Sequence, residues 1–279
     1  PPAAVPNRPD VFMAGRQFPV QSFDFNGLTI DLSQMKTNAL ASGVYIPASG
    51  SQGYHLVLKT NDTFDLYKVT ALQPTPNNCT NTNNQDDWGT WSVKTQVHPV
   101  SGTVNSPQNY AFPSNGIIFV EDHVWVDGAI NGARITIAAG KFPDNVSTRK
   151  DIIINNDLTY SNYTGNDVVS LVAQRNITTG LFSEDDLRID AALVAQNGRV
   201  GRFYYESDCK SGGINYYNRN SITLYGMIAT NERYGFAYTD GTGYDTRNII
   251  YDSNLLYGPP PSFPLTSSQY STISWEEVQ

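Results

Sequence analysis

The densest group of ionisable side chains in the sequence is an acidic run with one arginine inside it. Its members are Glu184, Asp185, Asp186, Arg188 and Asp190. Clustered carboxylates suit the hydrolysis of a glycosidic bond, because one carboxyl group must act as an acid and a second as a base or nucleophile. On a strand, however, Asp186 and Asp190 share a face with Arg188, which partly neutralises them. No second carboxylate or basic cluster stands at a compatible position, so we interpret the run as a solvated corner.

The three histidines are the other candidates for acid–base or metal chemistry. They are His55, His98 and His123. His123 follows two carboxylates in the segment VEDHVWV, but neighbouring residues of a strand point to opposite faces, which disfavours a shared metal ion. The nucleophile elbow, the phosphate loop, the dinucleotide fingerprint and paired C-x-x-C motifs do not occur. We therefore expect a protein that is not an enzyme and that holds neither a metal ion nor a cofactor.

The composition indicates a β-rich protein. Charged residues make up 16% of the 279 residues, whereas Tyr, Asn, Thr, Ser and Gly are plentiful, as expected for surfaces built from strands and turns. The formal net charge of −8 disfavours general binding to nucleic acid, which needs Lys and Arg against the phosphates. The longest apolar stretches are far shorter than the roughly 20 residues of a membrane-spanning helix.

The two cysteines, Cys79 and Cys209, lie in polar, turn-rich segments. Free thiols in such segments would be exposed to solvent. We expect a disulfide between them, with two unpaired surface thiols as the alternative. A zinc site is disfavoured, because no second Cys or His lies nearby at ligand spacing.

A sequence repeat carries the prediction of the fold. The tetrapeptide LVAQ occurs at residues 171–174 and again at 193–196. Five segments align on an apolar pair followed by a polar bend, and they begin at residues 119, 153, 172, 194 and 228. A further unit fits the first long gap at residues 135–140, and an irregular loop, 201–220, occupies the second. Each unit is typical of a short strand, a bend and a second short strand.

Repeats of this size, about 20 residues, are typical of a parallel β-helix, or β-solenoid, in which neighbouring coils bury one another's inward faces. Small residues at equivalent positions are expected to let the coils pack closely. These residues are Ala138, Ala173, Ala195 and Ala229. The alternative is a β-sandwich, but sandwiches favour short hairpins, which the later segments lack. We therefore predict a mostly all-β chain that forms a β-solenoid.

The first part of the chain differs from the repeats. Strands are predicted at residues 43–47, 54–60 and 63–72. The last two are expected to form a hairpin that turns at Asn61 and Asp62. A short helix is predicted at 32–42, and residues 73–87 are too polar to pack and should form a surface excursion.

These patterns divide the chain into an N-terminal β-rich region, residues 1–113, and a solenoid, residues 114–279. The end of a solenoid exposes unpaired strand edges. The segments GPPPSFP, residues 258–264, and ISWEE, residues 273–277, are predicted to cover that end. Proline stops the stacking of strands, and Phe263 and Trp275 are expected to lie over the last apolar layer.

Four stretches of the chain carry a resemblance to a known family. They are residues 114–144, 186–202, 221–236 and 247–264. They resemble bacterial secreted proteins associated with type IV pili, the minor pilins of the PilX-like kind. The resemblance extends over roughly residues 40–279 and implies a solenoid exposed outside the cytoplasmic membrane. The family carries no established catalytic residues, so none is implied here.

Proteins of the PilX-like kind begin with a prepilin leader and an apolar helix. The present chain begins at Pro1 without an initiator Met. We therefore expect that an upstream anchor has been removed and that the full-length protein is held at the bacterial cell surface.

The most distinctive candidate for binding is the insertion between repeats at residues 199–220. Its candidate ligand-binding residues are Arg202, Tyr204, Tyr205, Tyr216, Tyr217 and Arg219. Tyr offers a large contact area at low entropy cost, and Arg can stack on a ring or pair with an anion. The alternative is a loop that folds back on the solenoid and is pinned there by Cys209.

The sequence as a whole predicts a non-catalytic, extracytoplasmic β-solenoid that acts in adhesion or ligand recognition as part of a pilus or other cell-surface appendage. Its expected partners are other pilins or cell-envelope proteins and a glycan or other surface ligand. One alternative is a polysaccharide-binding or polysaccharide-cleaving β-helix. Another is a DNA-uptake receptor at a pilus tip, which the net charge disfavours.

Overall fold

The computed structural model describes residues 27–263, and the protein is mostly β. Strands account for 44% of the residues and helices for 8%, and a large curled sheet forms a half-barrel. The prediction of a mostly all-β protein is confirmed. The predicted short helix is present as α1, Gly27–Ser42, which begins earlier than the sequence pattern indicated.

Eighteen strands and two short 3₁₀ helices, Val146–Thr148 and Ser253–Leu256, occur within residues 27–263. The strands are β1 Val44–Ile46, β2 Gly53–Lys59, β3 Thr63–Leu72, β4 Val93–Val97, β5 Gln108–Ala111, β6 Ile117–Val120, β7 Val124–Ile130, β8 Arg134–Ala139, β9 Ile152–Ile153, β10 Leu158–Tyr160, β11 Val168–Ala173, β12 Ile177–Thr179, β13 Asp186–Ala195, β14 Val200–Arg202, β15 Lys210–Ser211, β16 Ile214–Asn215, β17 Asn218–Thr230 and β18 Gly243–Tyr251.

Six strands pair in parallel to form what we name the first ladder. Their order is β1, β6, β8, β11, β13 and β17. The two LVAQ tetrapeptides stack in register here, since Leu171 pairs with Leu193 and Val172 with Val194. The repeat in the sequence therefore marks two neighbouring strands of one ladder.

Two further ladders of parallel strands share members with the first. The second ladder contains β2, β7, β10, β13, β17 and β18. The third ladder contains β7, β9, β12 and β14. With 10 and 13 residues, β13 and β17 are long enough to take part in both the first and the second ladder.

One of the five aligned segments, the one at residue 153, was assigned wrongly to the series. Ile152 and Ile153 form β9, which belongs to the third ladder. The reason is that an apolar pair followed by polar residues ends strands in more than one ladder. A local pattern therefore predicts a strand end without predicting which ladder the strand joins.

The predicted row of small residues is only partly aligned. Ala173 pairs directly with Ala195. Ala138 and Ala229 instead pair with the valines that precede those two alanines, so they lie one residue out of the predicted register. Successive side chains of a strand face opposite sides, which places Ala138 and Ala229 on the other face of the ladder.

Both faces of the first ladder are buried, as is usual for parallel strands. The inward face contributes to the main hydrophobic core, with members such as Val120, Ile137, Leu171 and Leu193. The outward face carries Phe119, Ala138, Val172 and Val194, against which Leu32, Met35 and Ala39 of α1 pack. These three helical residues recur at intervals of three and four, the spacing that places side chains on one face of a helix.

The described part of the C-terminal segment, residues 258–263, does not cover the end of the sheet as predicted. It runs back across the outward face of the first ladder, where Phe263 packs in the same cluster as Val168 and Ala192. Thr136 donates to the carbonyl oxygen of Pro261 at 2.5 Å. Apolar side chains on the outward face need a cover, and this segment supplies it. The predicted cap residue Trp275 lies outside the described residues.

The N-terminal strands join the same sheet. β1 and β2 pair in parallel with β6 and β7, and the predicted hairpin is confirmed as the antiparallel pair of β2 and β3. β3 also pairs with β4 and β5. This arrangement brings Trp91 and Val93, at the start of β4, against Trp125 of β7.

Strands β2 and β7 approach each other too closely at one point for any side chain. Gly128 has φ of +105°, and a Cβ atom there would lie 2.3 Å from the carbonyl oxygen of Leu58. Only glycine adopts such a φ without strain and leaves that space open. The strands that carry His55 and Asp127 are thereby held in close contact.

Candidate functional site

The described residues form an open cleft of about 1020 Å³, which we name the hairpin cleft. Three parts of the chain line it. The second and third ladders and their bends contribute His55, Trp125, Asp127, Asn155, Asn156 and Phe182. The segment that follows β3 contributes Gln73, Thr75 and Asn77, and β4 contributes Lys94 and Gln96. The insertion contributes Ser211 and Tyr216. A cleft of this size accommodates a small ligand or part of a polymer.

His55 is the centre of a hydrogen-bonded group in this cleft. Its Nδ1 atom lies 2.8 Å from Oε1 of Gln96, and its Nε2 atom lies 2.9 Å from Oδ2 of Asp127. Asn156 donates to the same Oδ2 atom at 2.7 Å. Burial lowers the pKa of His55, but the hydrogen bond and charge of Asp127 outweigh that effect and leave the pKa raised.

Two polar atoms of this group remain open to the cleft. Asp127 is only 9% exposed, and its hydrogen bonds from residues 27–263 all reach Oδ2, which leaves Oδ1 unpartnered. Gln96 uses Oε1 toward His55, and its Nε2 atom has no partner in the described part of the chain. The group therefore has one unpartnered acceptor and one unpartnered donor, each on the partner of a different ring nitrogen of His55.

Aromatic rings line the same cleft as these polar atoms. The rings of Phe182 and Tyr216 meet edge to face with centroids 4.6 Å apart. The guanidinium of Arg219 stacks over the Tyr216 ring, with its central carbon 5.0 Å from the ring centroid. Tyr216 is thus held in place by a ring contact and a cation–π contact, and it offers a fixed surface to a ligand.

The predicted disulfide between Cys79 and Cys209 is present. It joins the Asn-rich excursion after β3 to the insertion, and further contacts accompany it. The backbone N–H of Thr80 donates to Glu206 at 2.9 Å, and the indole of Trp88 donates to the carbonyl oxygen of Tyr204 at 2.9 Å. Both joined segments line the hairpin cleft, so the bond fixes one part of its wall against another.

The insertion folds back into the protein, which was the alternative left open by the sequence. Arg202 has no exposed surface and Tyr205 is 1% exposed. Arg202 donates to Ser183 Oγ at 2.7 Å and to the carbonyl oxygens of Leu181 and Tyr216 at 3.1 and 2.7 Å. A ligand at the surface cannot reach these two side chains, so they are removed from the predicted binding set.

The other predicted binding residues are divided between structural contacts and the cleft. Arg219 is buried and donates to the carbonyl oxygen of Leu181 at 3.0 Å. The Tyr204 hydroxyl donates to Asp240 at 2.7 Å, and the Tyr217 ring lies under Lys210. Of the six predicted residues, Tyr216 lines the hairpin cleft.

The acidic run separates into members with different roles. Asp190 is fully buried and accepts from the Tyr160 backbone at 3.0 Å and from the Tyr163 hydroxyl at 2.7 Å. Asp186 accepts from Ser221 at 2.5 Å. These contacts give Asp186 and Asp190 structural roles. The interpretation of the run as a solvated corner is wrong for Asp190, which is buried within strand β13.

Glu184 behaves differently, because it lies next to another carboxylate, Asp157. Its backbone N–H donates to the carbonyl oxygen of Asn155 at 2.8 Å. Burial raises the pKa of Glu184, and the charge of Asp157 raises it further. Asp157 itself accepts from the backbone of Arg188 at 2.7 Å. The acid pair Asp157 and Glu184 was missed by sequence reasoning, since its members are 27 residues apart.

The remaining histidines support turns and packing. His123 accepts from the backbone of Asp151 at 3.1 Å, and its ring lies 5.2 Å from that of Trp91. Burial lowers the pKa of His123. His98 accepts from the backbone of Val100 at 3.2 Å within a turn. Among residues 27–263, no group of His, Cys, Asp and Glu side chains is arranged to hold a metal ion.

A second cleft, of about 780 Å³, contains three arginines. Each of them is already engaged. Arg149 is paired with Asp144 at 2.8 Å, Arg175 with Asp151, and Arg199 donates to the carbonyl oxygen of Arg202 at 2.8 Å. Because these guanidinium groups already have partners, the cleft provides fewer free hydrogen-bond donors for an anion than its three arginines suggest.

No protein-family model, curated protein or solved structure matches the chain. No helix within residues 27–263 combines the length and apolarity needed to cross a membrane. The resemblance to PilX-like minor pilins therefore stays a prediction from the sequence stretches that carry it.

Proposed function

We propose that this chain is an extracytoplasmic β-solenoid of a pilus or other cell-surface appendage, and that it binds a glycan in the hairpin cleft without cleaving it. The stacking of parallel strands in three ladders supports the solenoid, because each strand covers the open edge of its neighbour from an earlier part of the chain. The disulfide supports an oxidising compartment outside the cytoplasm.

One observation carries the proposal of a glycan ligand. The open acceptor on Asp127 and the open donor on Gln96 lie in a cleft that also contains the Phe182 and Tyr216 rings. A pyranose presents hydroxyl groups, each of which both donates and accepts, at the edge of a ring whose C–H face is apolar. Polar atoms that are fixed and unpartnered, next to apolar rings, match that combination.

The proposal is tested by applying the labelled protein to an array of bacterial and host surface glycans and measuring affinities for those retained. Gln96→Ala should weaken binding by about threefold to tenfold, the loss of one hydrogen bond. Gln108→Ala is the matched control, since this glutamine lies on β5 outside the cleft. Retention of no glycan, or equal weakening by both substitutions, would contradict a glycan site in this cleft.

Cleavage of a polysaccharide is the second candidate, and the acid pair Asp157 and Glu184 is the observation that favours it. A carboxyl group whose pKa is raised beside a second carboxyl group is the arrangement that glycoside hydrolysis uses. Incubation with neutral and acidic polysaccharides distinguishes the two functions. New reducing ends that disappear in Glu184→Gln would establish cleavage, whereas we expect none.

A further inference from the structure

The position of His55 between Gln96 and Asp127 gives its two ring nitrogens different partners. Asp127 is an acceptor only, so Nε2 of His55 carries a proton whether the ring is charged or neutral. The Nδ1 atom faces an amide, which can either accept or donate. The charge state of the ring therefore decides which amide atom must face it.

When the ring is doubly protonated, Nδ1 donates, and only Oε1 of Gln96 can accept. The NH₂ group of Gln96 then faces the cleft as a donor. When the ring is neutral, Nδ1 is an acceptor, and the amide must turn over so that its NH₂ group donates to the ring. Oε1 then points into the cleft, and the cleft presents two acceptors. The two amide orientations have nearly the same shape, so no other side chain has to move.

We infer that protonation of His55 sets the hydrogen-bonding pattern of the hairpin cleft, and that the protonated form selects a ligand in which a hydroxyl group lies near an oxygen that only accepts, as the ring oxygen of a pyranose does. The hydroxyl group of such a ligand donates to Asp127, and its ether oxygen accepts from Gln96. The inference rests on the proposed function for its ligand. It makes His55 a residue that determines specificity without touching the glycan.

Several charged and titratable groups surround His55 and act on the protonation of its imidazole ring. Asp127 faces it from β7, and the Tyr67 ring stacks on it from β3 with centroids 5.9 Å apart. Lys94 of β4 lines the same cleft and is exposed, and Glu184 of the acid pair interacts with the charge of Asp127. Asp127 stabilises the imidazolium and raises its pKa, which brings the change of pattern toward neutral pH.

The inference has a test that needs no ligand. In protein labelled with ¹⁵N, long-range proton–nitrogen spectra report whether each ring nitrogen of His55 carries a proton. Below the His55 transition both nitrogens should be protonated, and the Gln96 side-chain amide signals should shift with the same midpoint as the ring. A ring that stays neutral at about pH 5.5, or a Gln96 amide that does not respond, overturns the inference.

The second test measures affinity for cellohexaose, a neutral chain in which every residue carries hydroxyl groups and a ring oxygen, between about pH 5.5 and pH 8.5. Affinity should fall about threefold to tenfold as His55 loses its proton, which is the effect of replacing one hydrogen bond. By linkage, the bound glycan must then raise the His55 pKa by about 0.5 to 1 unit. Gln96→Glu should abolish the pH dependence, because a carboxylate offers no donor. His98→Gln, a change in a remote turn, should preserve it.

The outcomes separate the inference from the proposed function. Binding of cellohexaose that is independent of pH refutes the role of His55 and leaves the glycan site intact. Binding at no pH contradicts the glycan site itself. Binding that falls with pH equally in Gln96→Glu places the proton linkage elsewhere and also refutes the inference.

Discussion

Reduction of the Cys79–Cys209 bond in the otherwise unchanged protein should lower the free energy of unfolding by about 3–5 kcal/mol. The bond spans a sequence separation of 130 residues. In the chain-entropy model, closing a loop of that length destabilises the unfolded chain by about 5 kcal/mol. Residual structure in the reduced, unfolded chain makes the measured value smaller, which sets the lower limit of about 3 kcal/mol.

The comparison of oxidised with reduced protein isolates this effect from packing. Both sulfur atoms lie in a buried cluster with Leu181, Phe203 and Tyr205, so replacing the cysteines would also change the contacts there. Reduction breaks one covalent bond and keeps every other heavy atom. The difference in stability therefore reports the constraint on the unfolded chain.

The assay is equilibrium unfolding in guanidinium chloride, followed by tryptophan fluorescence, with and without a phosphine reductant. Three tryptophans, at positions 88, 91 and 125, lie near the bond or the cleft. The oxidised protein should also show a smaller dependence of unfolding free energy on denaturant, because its unfolded state exposes less surface. The double variant Cys79→Ala, Cys209→Ala should not respond to the reductant. A difference below about 1 kcal/mol between oxidised and reduced protein would refute the reasoning.

Three further predictions concern the core and the cleft. Gly128→Ala should lower the unfolding free energy by about 3 kcal/mol or more, whereas Gly132→Ala, which meets no atom within 4 Å, should cost about 1 kcal/mol; equal effects would contradict the close contact. Arg202→Met should cost about 3 kcal/mol or more, because buried carbonyl oxygens lose their donors, while the exposed Arg247→Met should change stability little in the same denaturant titration. Folding raises the pKa of His55, so the stabilisation from its charge is fully present below about pH 6.5 and is lost as pH rises through the folded-state pKa. The stability difference between wild type and His55→Gln should therefore shrink over that range. A difference that stays constant with pH would contradict this prediction.

The parts of the fold that follow from local pattern were predicted from the sequence. The LVAQ repeat predicted two stacked strands, because an identical strand placed on its neighbour puts like residues in contact. The hairpin of β2 and β3 and the helix α1 likewise follow from alternation and spacing within a few residues. The pairing of Cys79 with Cys209 followed from there being only two cysteines in the chain.

The cleft could not be predicted in the same way, because its parts come from distant positions. His55, Gln96 and Asp127 are far apart in the sequence, at no regular spacing. They meet because β2 pairs with β7 on one side and with β3 on the other, and β3 in turn pairs with β4. A signal was present in part, since His55 alternates with buried leucine and tyrosine along β2. Alternation predicts an outward-facing histidine but not its partners.

The insertion shows a different limit of sequence reasoning. Tyrosines next to arginines indicate cation–π contacts, and such contacts are present between Arg219 and Tyr216 and between Arg202 and Tyr205. The composition is the same whether the pair faces solvent or the interior. Here carbonyl oxygens and rings surround Arg202, so a pattern typical of a recognition loop instead stabilises the wall of the cleft.

The covalent bond between Cys79 and Cys209 also determines how the protein would respond to tension. A force that pulls on the two ends of the chain passes through the bond, so the 130-residue segment between the cysteines carries no load. If that segment could extend fully, it would add roughly 430–470 Å to the length of the chain. Gln96, Asp127 and Phe182 all lie within it, whereas His55 and Tyr216 lie outside. Stretching would therefore lengthen the segments on either side of the bond first and pull His55 away from a set of partners that stays unextended.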